Sequence, residues 1–242
     1  MIHANETESQ MKTLVLGDIH GRTVWKDIMD REKPDRTIFL GDYVSSHYDI
    51  SGQEQISNLA EILDLKEANQ DSVFLLRGNH DLQHLGYSWA KCSGYNLWVA
   101  AHIPSERFLK LTQWVVVDDR LNTVFSHAGI SKVWMNNCGI ADIHDINHMQ
   151  PSPFFGFIPD NWFDYSGDSV TQPPTWIRPD TLAECNVRGW QQVVGHTPVM
   201  SGIVDIAKYV ATGEHIWLCD ALELKQYLTI DGDTFTVKTA KD

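Results

Sequence analysis

Residues 72–81 read SVFLLRGNHD, and two upstream stretches follow the same pattern: residues 12–21 read KTLVLGDIHG and residues 36–42 read RTIFLGD. Each is a short apolar run, rich in β-branched and aromatic residues, that ends near a glycine. Such runs are typical of buried β-strands. Between the second and third runs, residues 53–66 carry apolar side chains at helical spacing, and Ser51 is suited to an N-cap. The pattern predicts a βαβαβ opening with a largely parallel sheet.

The second half of the chain is dominated by strand-like segments. They fall at residues 114–117, 123–125, 192–194, 203–206, 215–218, 226–230 and 234–237, with a hairpin-turn signal at Asp231-Gly232. Residues 151–179 are rich in proline, glycine and aromatics, follow neither period, and are predicted to form a long ordered cap loop. We therefore expect a flexible leader at residues 1–11 and a single α/β domain with mixed sheets over residues 12–242.

The composition narrows the class of protein. The chain has 242 residues, 43% hydrophobic and 21% charged, as in ordinary globular proteins. Four scattered cysteines without a C-x-x-C pair favour a reducing compartment, here the cytoplasm, over a disulfide scaffold. No apolar run reaches membrane-spanning length, so no membrane association is expected. The formal net charge of −13 disfavours nucleic-acid binding. An anionic substrate would need a local source of positive charge, and metal ions are the obvious one.

Polar side chains follow five of the predicted strands, beside glycines. In chain order they are Asp18, His20, Asp42, Asn79, His80, His127 and His196. Ligands of parallel α/β sheets bind beyond the carboxyl ends of the strands, so we expect these residues to converge. Carboxylate and amide oxygens together with imidazole suit Mn²⁺, Fe or Zn²⁺, and the set is large enough for a dinuclear centre with one bridging carboxylate. Taken singly, such an aspartate is more often a helix cap and such a histidine a core residue; five loops together favour the metal centre.

The ordered motifs GDIHG, GD, LLRGNHD, SHAG and GHTP resemble those of the calcineurin-like metallophosphoesterases over residues 12–198. LLRGNHD is similar to the serine/threonine phosphoprotein phosphatase branch, including its bacterial and phage members. The resemblance implies a four-layer α/β/β/α sandwich with mixed sheets. It also implies two divalent metal ions, Mn foremost with Fe, Zn or Mg as alternatives, and a hydroxide that bridges them and attacks the phosphoryl group.

The resemblance assigns a role to each position that matches a family motif. It places Asp18 and His20 on the first metal and makes Asp42 the bridging ligand. The second metal then takes Asn79, His127 and His196. His80 matches the general acid that protonates the leaving oxygen.

The second motif departs from the phosphoprotein phosphatase pattern G-D-x-V-D-R-G. The aspartate that would orient the catalytic histidine is Ser45 here, and the arginine that would hold the phosphate is Ser46. Serine can hydrogen-bond an imidazole but does not stabilise its charged form as a carboxylate does. Asp49 or Asp81 is an alternative partner for the histidine.

Two arginines are candidates for phosphate binding in place of Ser46. Arg178, within PTWIRP, resembles the W-x-R segment of the bacterial and phage members; the alternative is a surface salt bridge. Arg77 precedes GNHD as in the same branch, where a ligand-facing and a structural role are equally open. A planar guanidinium matches phosphate with two parallel hydrogen bonds, which favours arginine for this task.

Several other residues are interpreted as structural. His47, His84, His144 and His148 lack the glycine-flanked position at a strand end, and the i, i+4 pair of the last two fits a solvated helix face better than a metal pair. The aromatic residues of the cap could stack a nucleobase or peptide side chain, but the core of the loop itself is the simpler reading.

Three functions remain open at the level of sequence. The leading hypothesis is a metal-dependent phosphomonoesterase of the phosphoprotein phosphatase type, acting on a phosphorylated peptide or small molecule. A nucleotide or dinucleoside polyphosphate hydrolase is the second, because GHTP and W-x-R also occur among such relatives. A catalytically weak scaffold is the third, and the complete set of ligand positions argues against it.

Overall fold

The computed structural model describes residues 11–88, 92–152, 155–156 and 168–241. The strands within these residues are β1 (Lys12–Leu16), β2 (Arg36–Phe39), β3 (Val73–Leu75), β4 (Val115–Asp118), β5 (Thr123–Ser126), β6 (Gln191–Val194), β7 (Val204–Asp205), β8 (Ile216–Leu218), β9 (Gln226–Asp231) and β10 (Thr234–Thr239). The α-helices are α1 (Trp25–Glu32), α2 (Gly52–Ala68), α3 (Asn79–His84), α4 (Leu97–His102), α5 (Ser105–Leu111), α6 (Lys132–Asn137) and α7 (Pro179–Glu184). Short 3-10 helices lie at Ile143–His148, Ala207–Tyr209 and Leu222–Leu224.

The strands form two mixed sheets. The first has the order β10-β9-β1-β2-β3, in which β1, β2 and β3 are parallel and β9 runs antiparallel to β1. The second has the order β4-β5-β6-β8-β7, with β5, β6 and β8 parallel and both edge strands antiparallel. The predicted parallel opening and the predicted β9–β10 hairpin are both confirmed.

Three apolar clusters show how the layers stack. Alternate side chains of a strand point to opposite faces, so Val15 packs between the sheets while its neighbour Leu14 faces the helices. Phe125 of the second sheet belongs to the same inter-sheet cluster as Val15. Leu59 of α2 covers the outer face of the first sheet, and Trp134 of α6 covers the outer face of the second. The order helices, sheet, sheet, helices confirms the predicted four-layer α/β/β/α sandwich.

Helix α2 begins where the sequence predicts. The Ser51 hydroxyl accepts a hydrogen bond from the Glu54 amide at 3.2 Å, and the Glu54 carboxylate accepts one from the Ser51 amide at 2.8 Å. This reciprocal pair satisfies two donors that the first helical turn would leave open. The helix then buries Leu59, Ile62 and Leu63 against the first sheet, which fixes the crossover from β2 to β3.

Two predicted segments fall partly outside the described residues. Of the leader, only residue 11 is described, and residues 153–154 and 157–167 of the cap are not. Within the described part of the cap, Phe155 is buried and its ring stacks on Trp114 with centroids 3.5 Å apart. Among the helices that the structure describes, none is long and apolar enough to cross a bilayer.

Candidate active site

The carboxyl ends of parallel strands from both sheets open into one cleft of about 470 Å³. The loop after β1 supplies Asp18 and His20, and the loop after β2 supplies Asp42. The first turn of α3, directly after β3, supplies Asn79 and His80. The second sheet contributes His127, immediately after β5, and His196, shortly after β6. The structure thus brings together all seven strand-end residues singled out from the sequence.

Hydrogen bonds tie the two sheets together at this point. The His196 amide donates to the Asp18 carboxylate at 2.9 Å, which joins the loop after β6 to the loop after β1. The Asn79 side-chain oxygen lies 2.9 Å from His127 Nε2 and 3.1 Å from His196 Nδ1. Its amide nitrogen lies 3.2 Å from the sulfur of Cys92, a contact that turns the oxygen toward the histidines. The donor atoms therefore face one another across the sheet junction.

Each of the three predicted histidine ligands has one ring nitrogen bound to a backbone carbonyl. His20 Nδ1 lies 2.9 Å from the Val44 oxygen, and His127 Nδ1 lies 2.9 Å from the Leu40 oxygen. His196 uses its other nitrogen, Nε2, at 3.0 Å from the Trp176 oxygen. A carbonyl oxygen only accepts, so these contacts favour the tautomer with the proton on that nitrogen. In this tautomer the other nitrogen of each ring is a lone pair. In His127 and His196 it points at the Asn79 oxygen, which is also an acceptor, and a cation between these atoms would satisfy all three, as in metal-binding histidines.

Carboxylates crowd the same cleft. Asp18 and Asp42 are buried, and burial raises the pKa of each well above its usual value. The nearby charge of Asp220 raises both pKa values further, and burial raises the pKa of Asp220 itself to about 6. Three acidic groups that are costly to ionise side by side would be relieved by a cation bound between them.

The donor set fits divalent metal ions. Oxygen and nitrogen atoms of Asp18, His20 and Asp42 lie within 4.8 Å of one another. Burial lowers the pKa of His20 to about 3, so its imidazole is neutral, the form that binds a metal. His127 Nε2 lies 3.4 Å from the Asp42 carboxylate, which places a second group of donors beside the first. The residues with donor atoms in these two groups are Asp18, His20, Asp42, Asn79, His127 and His196.

His80 differs from the three histidines described above. Its Nδ1 is buried, and no described residue hydrogen-bonds to it, while its Nε2 lies 3.9 Å from the Asp42 carboxylate. Burial, followed by the neighbouring imidazoles of His20 and His127, lowers the pKa of His80 to about 2. This ring lacks the carbonyl partner that fixes the other three, which sets it apart from the ligand set.

Neither serine of the altered second motif replaces the missing carboxylate, and the Ser46 hydroxyl accepts a hydrogen bond from the Tyr48 amide at 3.1 Å. The Ser45 hydroxyl is buried and lies 3.3 Å from the Gln83 amide and 3.5 Å from His84 Nδ1. Asp81 is also occupied, because its carboxylate accepts from the backbone amides of Gly78, Asp42 and Tyr43 at 2.9 to 3.0 Å. Asp81 therefore fixes the loop that carries Asp42. It does not hydrogen-bond to the His80 ring, whose orientation is set by packing within the cleft.

The ligand loops hold unusual backbone conformations. His20, Asp42, Ser45 and His196 all have positive φ, between 45° and 68°. Residues other than glycine rarely adopt this left-handed backbone conformation, and those that do so cluster at functional sites. The hydrogen bonds of Asp81 and of the His20 and His196 rings stabilise these turns.

Two glycines press against the cleft carboxylates. A Cβ atom on Gly78 would overlap the Asp42 carboxylate, and one on Gly195 would overlap the Asp18 carboxylate. Both carboxylates accept backbone hydrogen bonds at 2.9 Å, from His80 and His196, and cannot swing away freely. The close approach of backbone to carboxylate is therefore a condition for the site.

Two arginines line the cleft. Arg178, at the N-cap of α7, is half-buried. Its guanidinium donates a hydrogen bond to the Thr197 hydroxyl at 3.1 Å, next to His196. The negative charges of Asp18 and Asp220 act on it, although burial is the larger influence and lowers its pKa. Arg22 lies on the other side and donates to the Asp18 carbonyl at 3.2 Å. The cleft thus offers guanidinium groups beside the proposed metal ligands.

Arg77 lies away from the cleft. Its guanidinium donates to the Thr112 hydroxyl at 2.9 Å and to the Thr112 and Leu109 carbonyls at 2.7 and 2.8 Å. It also stacks over the Trp114 ring, 4.5 Å from the centroid. These contacts satisfy carbonyls at the C-terminus of α5, so the expectation that Arg77 binds phosphate is not supported by its position.

Substitution of Arg77 by methionine separates the structural role from phosphate binding. Arg77→Met leaves the Leu109 and Thr112 carbonyls without donors, and we expect the free energy of unfolding to fall by about 2 to 4 kcal/mol. Inhibition by inorganic phosphate should stay within about twofold of the parent protein. Urea unfolding and phosphate inhibition measure the two effects, and strongly weakened phosphate inhibition in a stable variant would contradict this placement.

The sequence interpretation missed three residues of the cleft. Asp220 follows β8 as Asp18 follows β1, so its position after a recognised strand was an available signal. Arg22 follows the GDIHG motif directly and carried no separate signal. His47, set aside for lack of a strand-end position, lies at the cleft rim with its ring centroid 5.3 Å from that of His20. All three belong to loops whose course becomes visible only in the fold.

A family model of the calcineurin-like phosphoesterases matches residues 11–227. An 84-residue segment is 33% identical to a probable serine/threonine-protein phosphatase of Encephalitozoon cuniculi, and it covers 33% of this chain but only 17% of that protein.

Two solved structures share the fold at low sequence identity. A cold-active protein-tyrosine phosphatase of a Shewanella species superposes with a TM-score of 0.63 and 15% identity, covering 96% of this chain and 80% of that one. A protein serine/threonine phosphatase from Saccharomyces cerevisiae superposes with a TM-score of 0.59 and 13% identity, covering 98% and 82%. Because the family model spans most of the chain, this protein belongs to the calcineurin-like phosphoesterases, a metal-dependent family.

Proposed function

We propose that this protein is a phosphomonoesterase of the phosphoprotein phosphatase type that works with two divalent metal ions, preferentially Mn²⁺. The observation that carries the proposal is the shared pattern of His20, His127 and His196. Each places one ring nitrogen at a backbone carbonyl and the other beside a carboxylate or amide oxygen of the site. The segment similar to a probable serine/threonine-protein phosphatase adds support. The four cysteines carry no disulfide, in keeping with a cytoplasmic location.

The ligands divide into two groups that share Asp42. Asp18 and His20 would hold the first metal, and Asn79, His127 and His196 would hold the second. When bound, two such cations lower the pKa of a water molecule and withdraw charge from phosphoryl oxygens. The Asp18 and Asp42 carboxylates are held by backbone amides of His196 and His80, so their orientation is set before substrate arrives.

Arg178 binds the phosphoryl group in this proposal. Its guanidinium lines the same cleft as the metal ligands and lies beside the His196 loop. A planar guanidinium can donate two parallel hydrogen bonds to phosphoryl oxygens, and a half-buried position strengthens them. Arg178 thereby takes over the role of the family-motif arginine, whose position is occupied by Ser46 in this chain.

His80 protonates the leaving oxygen in this proposal. Burial and the neighbouring imidazoles of His20 and His127 depress its pKa. A phosphoryl group brings negative charge beside the ring, and an adjacent negative charge favours the protonated imidazole. Substrate binding therefore supplies the condition under which His80 carries the proton that it donates.

A substrate panel in the presence of Mn²⁺ tests the proposed function. The panel contains phosphopeptides with phosphoserine, phosphothreonine or phosphotyrosine, nucleotides, dinucleoside polyphosphates and p-nitrophenyl phosphate. We expect metal-dependent release of phosphate with the highest kcat/KM on a phosphopeptide. A higher kcat/KM on nucleotides or dinucleoside polyphosphates would identify those compounds, and not phosphopeptides, as the substrate class. Absence of hydrolysis of every substrate would contradict the proposal.

Substitution of Arg178 tests its role. A charge-assisted contact of this kind contributes roughly 1.5 to 3 kcal/mol. We therefore expect Arg178→Ala to lower kcat/KM by about 10- to 150-fold, with Arg178→Lys recovering little because an ammonium does not reproduce the planar pair of donors. Metal content should be unchanged in both variants. Near-parental kinetics in Arg178→Ala would place phosphate binding elsewhere in the cleft.

A further inference from the structure

A fifth imidazole lies at the rim of the cleft. His47 is exposed on the loop after β2, and its ring meets His20 and His80 edge-on, with centroids 5.3 Å and 6.0 Å away. One nitrogen of each of these three rings lies within 4.8 Å of the others. Neither the metal-ligand set nor the phosphate-binding group of the proposed function uses His47.

His20 connects this cluster to the first metal site. Its Nδ1 is bound to the Val44 carbonyl, so Nε2 is the ring nitrogen left for a metal. The same histidine belongs both to the cluster with His47 and His80 and to the group with Asp18 and Asp42. His20 Nε2 lies 3.8 Å from the Asp18 carboxylate, so a cation bound at this nitrogen lies beside Asp18 and on the ring that contacts His47.

The number of ligands leaves room for His47 at this metal. In the proposed division the first site has three protein ligands, Asp18, His20 and Asp42, whereas the second has four. A further carboxylate would add repulsion to a cleft that already contains Asp18, Asp42 and Asp220, but an imidazole adds a donor without negative charge. Imidazole also shifts the preference of a site from Mg²⁺ toward Mn²⁺, Fe and Zn²⁺.

We propose that His47 is a fourth protein ligand of the metal held by Asp18, His20 and Asp42; this inference rests on the proposed metal centre. Two nitrogen ligands on one ion lie roughly 3 to 3.5 Å apart, given metal–nitrogen distances of about 2.1 Å. The His47 ring therefore moves inward by on the order of 1 to 2 Å when the metal binds. Exposed side chains make such movements rapidly, and an exposed loop residue is well suited to them.

Metal titration of the apoprotein tests the inference. We compare the parent protein, His47→Ala, His47→Cys and the control His148→Ala, whose side chain is exposed on a 3-10 helix outside the cleft. Calorimetry and visible absorption with Co²⁺ give the affinity and ligand field of each site. Loss of a ligand should weaken the first site of His47→Ala by at least about tenfold, the smallest effect seen for loss of a partner that only supports a ligand.

The expected pattern is specific. His47→Ala weakens one Co²⁺ site and leaves the other unchanged, His47→Cys recovers binding with a thiolate absorption band, and His148→Ala matches the parent. Equal Co²⁺ affinities in the parent and His47→Ala would overturn the inference, and weaker binding of inorganic phosphate in that case would assign His47 to the phosphoryl group. A parent protein that binds no pair of metal ions would instead overturn the proposed function.

Discussion

Asp42→Asn should abolish turnover while the protein stays folded. The substitution removes the negative charge that both proposed metal sites share, and metal ions supply several kcal/mol of transition-state stabilisation. At about 1.4 kcal/mol per factor of ten, we expect kcat/KM to fall by at least about 10³-fold. Asn is among the few residues that tolerate the left-handed backbone found at position 42, where φ is 51°, so the loop should keep its course.

Two measurements accompany the activity assay for Asp42→Asn. Elemental analysis should show loss of bound transition metal, and circular dichroism with thermal unfolding should show a folded protein. The parent protein treated with a chelator provides the matched control, because it removes the metal without a change of sequence. Full activity of the parent in chelator, with no transition metal bound, would contradict the assigned role of Asp42.

His80→Asn should slow the hydrolysis of substrates with poor leaving groups far more than that of substrates with good leaving groups. An alkyl oxygen needs a proton as it departs, so loss of the acid should lower kcat on alkyl phosphates by roughly 10² to 10⁴-fold. The nitrophenolate of p-nitrophenyl phosphate departs without a proton, and its hydrolysis should fall much less. Steady-state kinetics on the two substrates measure the difference directly.

Metal content makes the His80 result interpretable. The backbone amide of residue 80 donates to the Asp42 carboxylate, and asparagine keeps that amide, so metal binding should be preserved in His80→Asn. Equal losses of activity on both substrates, with metal content intact, would indicate that His80 positions the cleft rather than donating a proton.

The fold and the convergence of the candidate ligands followed from local sequence because one geometric rule governs both. Short apolar runs that stop at a glycine were recognisable as strands, and the carboxyl ends of parallel strands share one edge. Asp18, Asp42 and Asn79 could therefore be placed together in the first half of the chain. The same rule applied to β5 and β6, which lie side by side in the second sheet, and it brought in His127 and His196.

The two arginines show where this reasoning stops. Arg77 adjoins the GNHD motif, yet its guanidinium turns to the C-terminus of α5, where carbonyls lack partners within the helix. Those carbonyls lie 32 to 35 residues further along the chain, so no local pattern reveals them. Arg178 reaches the cleft because α7 begins there and Arg178 is its N-cap residue. Side-chain direction depended on the packing of distant elements.

The sequence also did not show whether another carboxylate replaces the motif aspartate that is Ser45 in this chain. Asp81 and Asp49 were both available in the sequence as partners for His80. Asp81 is taken by three backbone amides, and Asp49 is exposed on its loop. Which backbone amides bind a carboxylate depends on how the loops fold. The left-handed backbone conformations of His20 and His196 likewise cannot be read from local sequence.

Gly78 and Gly195 extend the requirements of the site beyond the side chains that carry its chemistry. Because each abuts a carboxylate that is held by hydrogen bonds, a single added methyl group would displace that carboxylate. A random-mutagenesis screen for inactive alleles should therefore recover alanine and serine at these two positions as readily as changes at Asp18 and Asp42. Such alleles would retain every acid, amide and imidazole of the cleft, so inspection of motif residues alone would score a dead enzyme as intact.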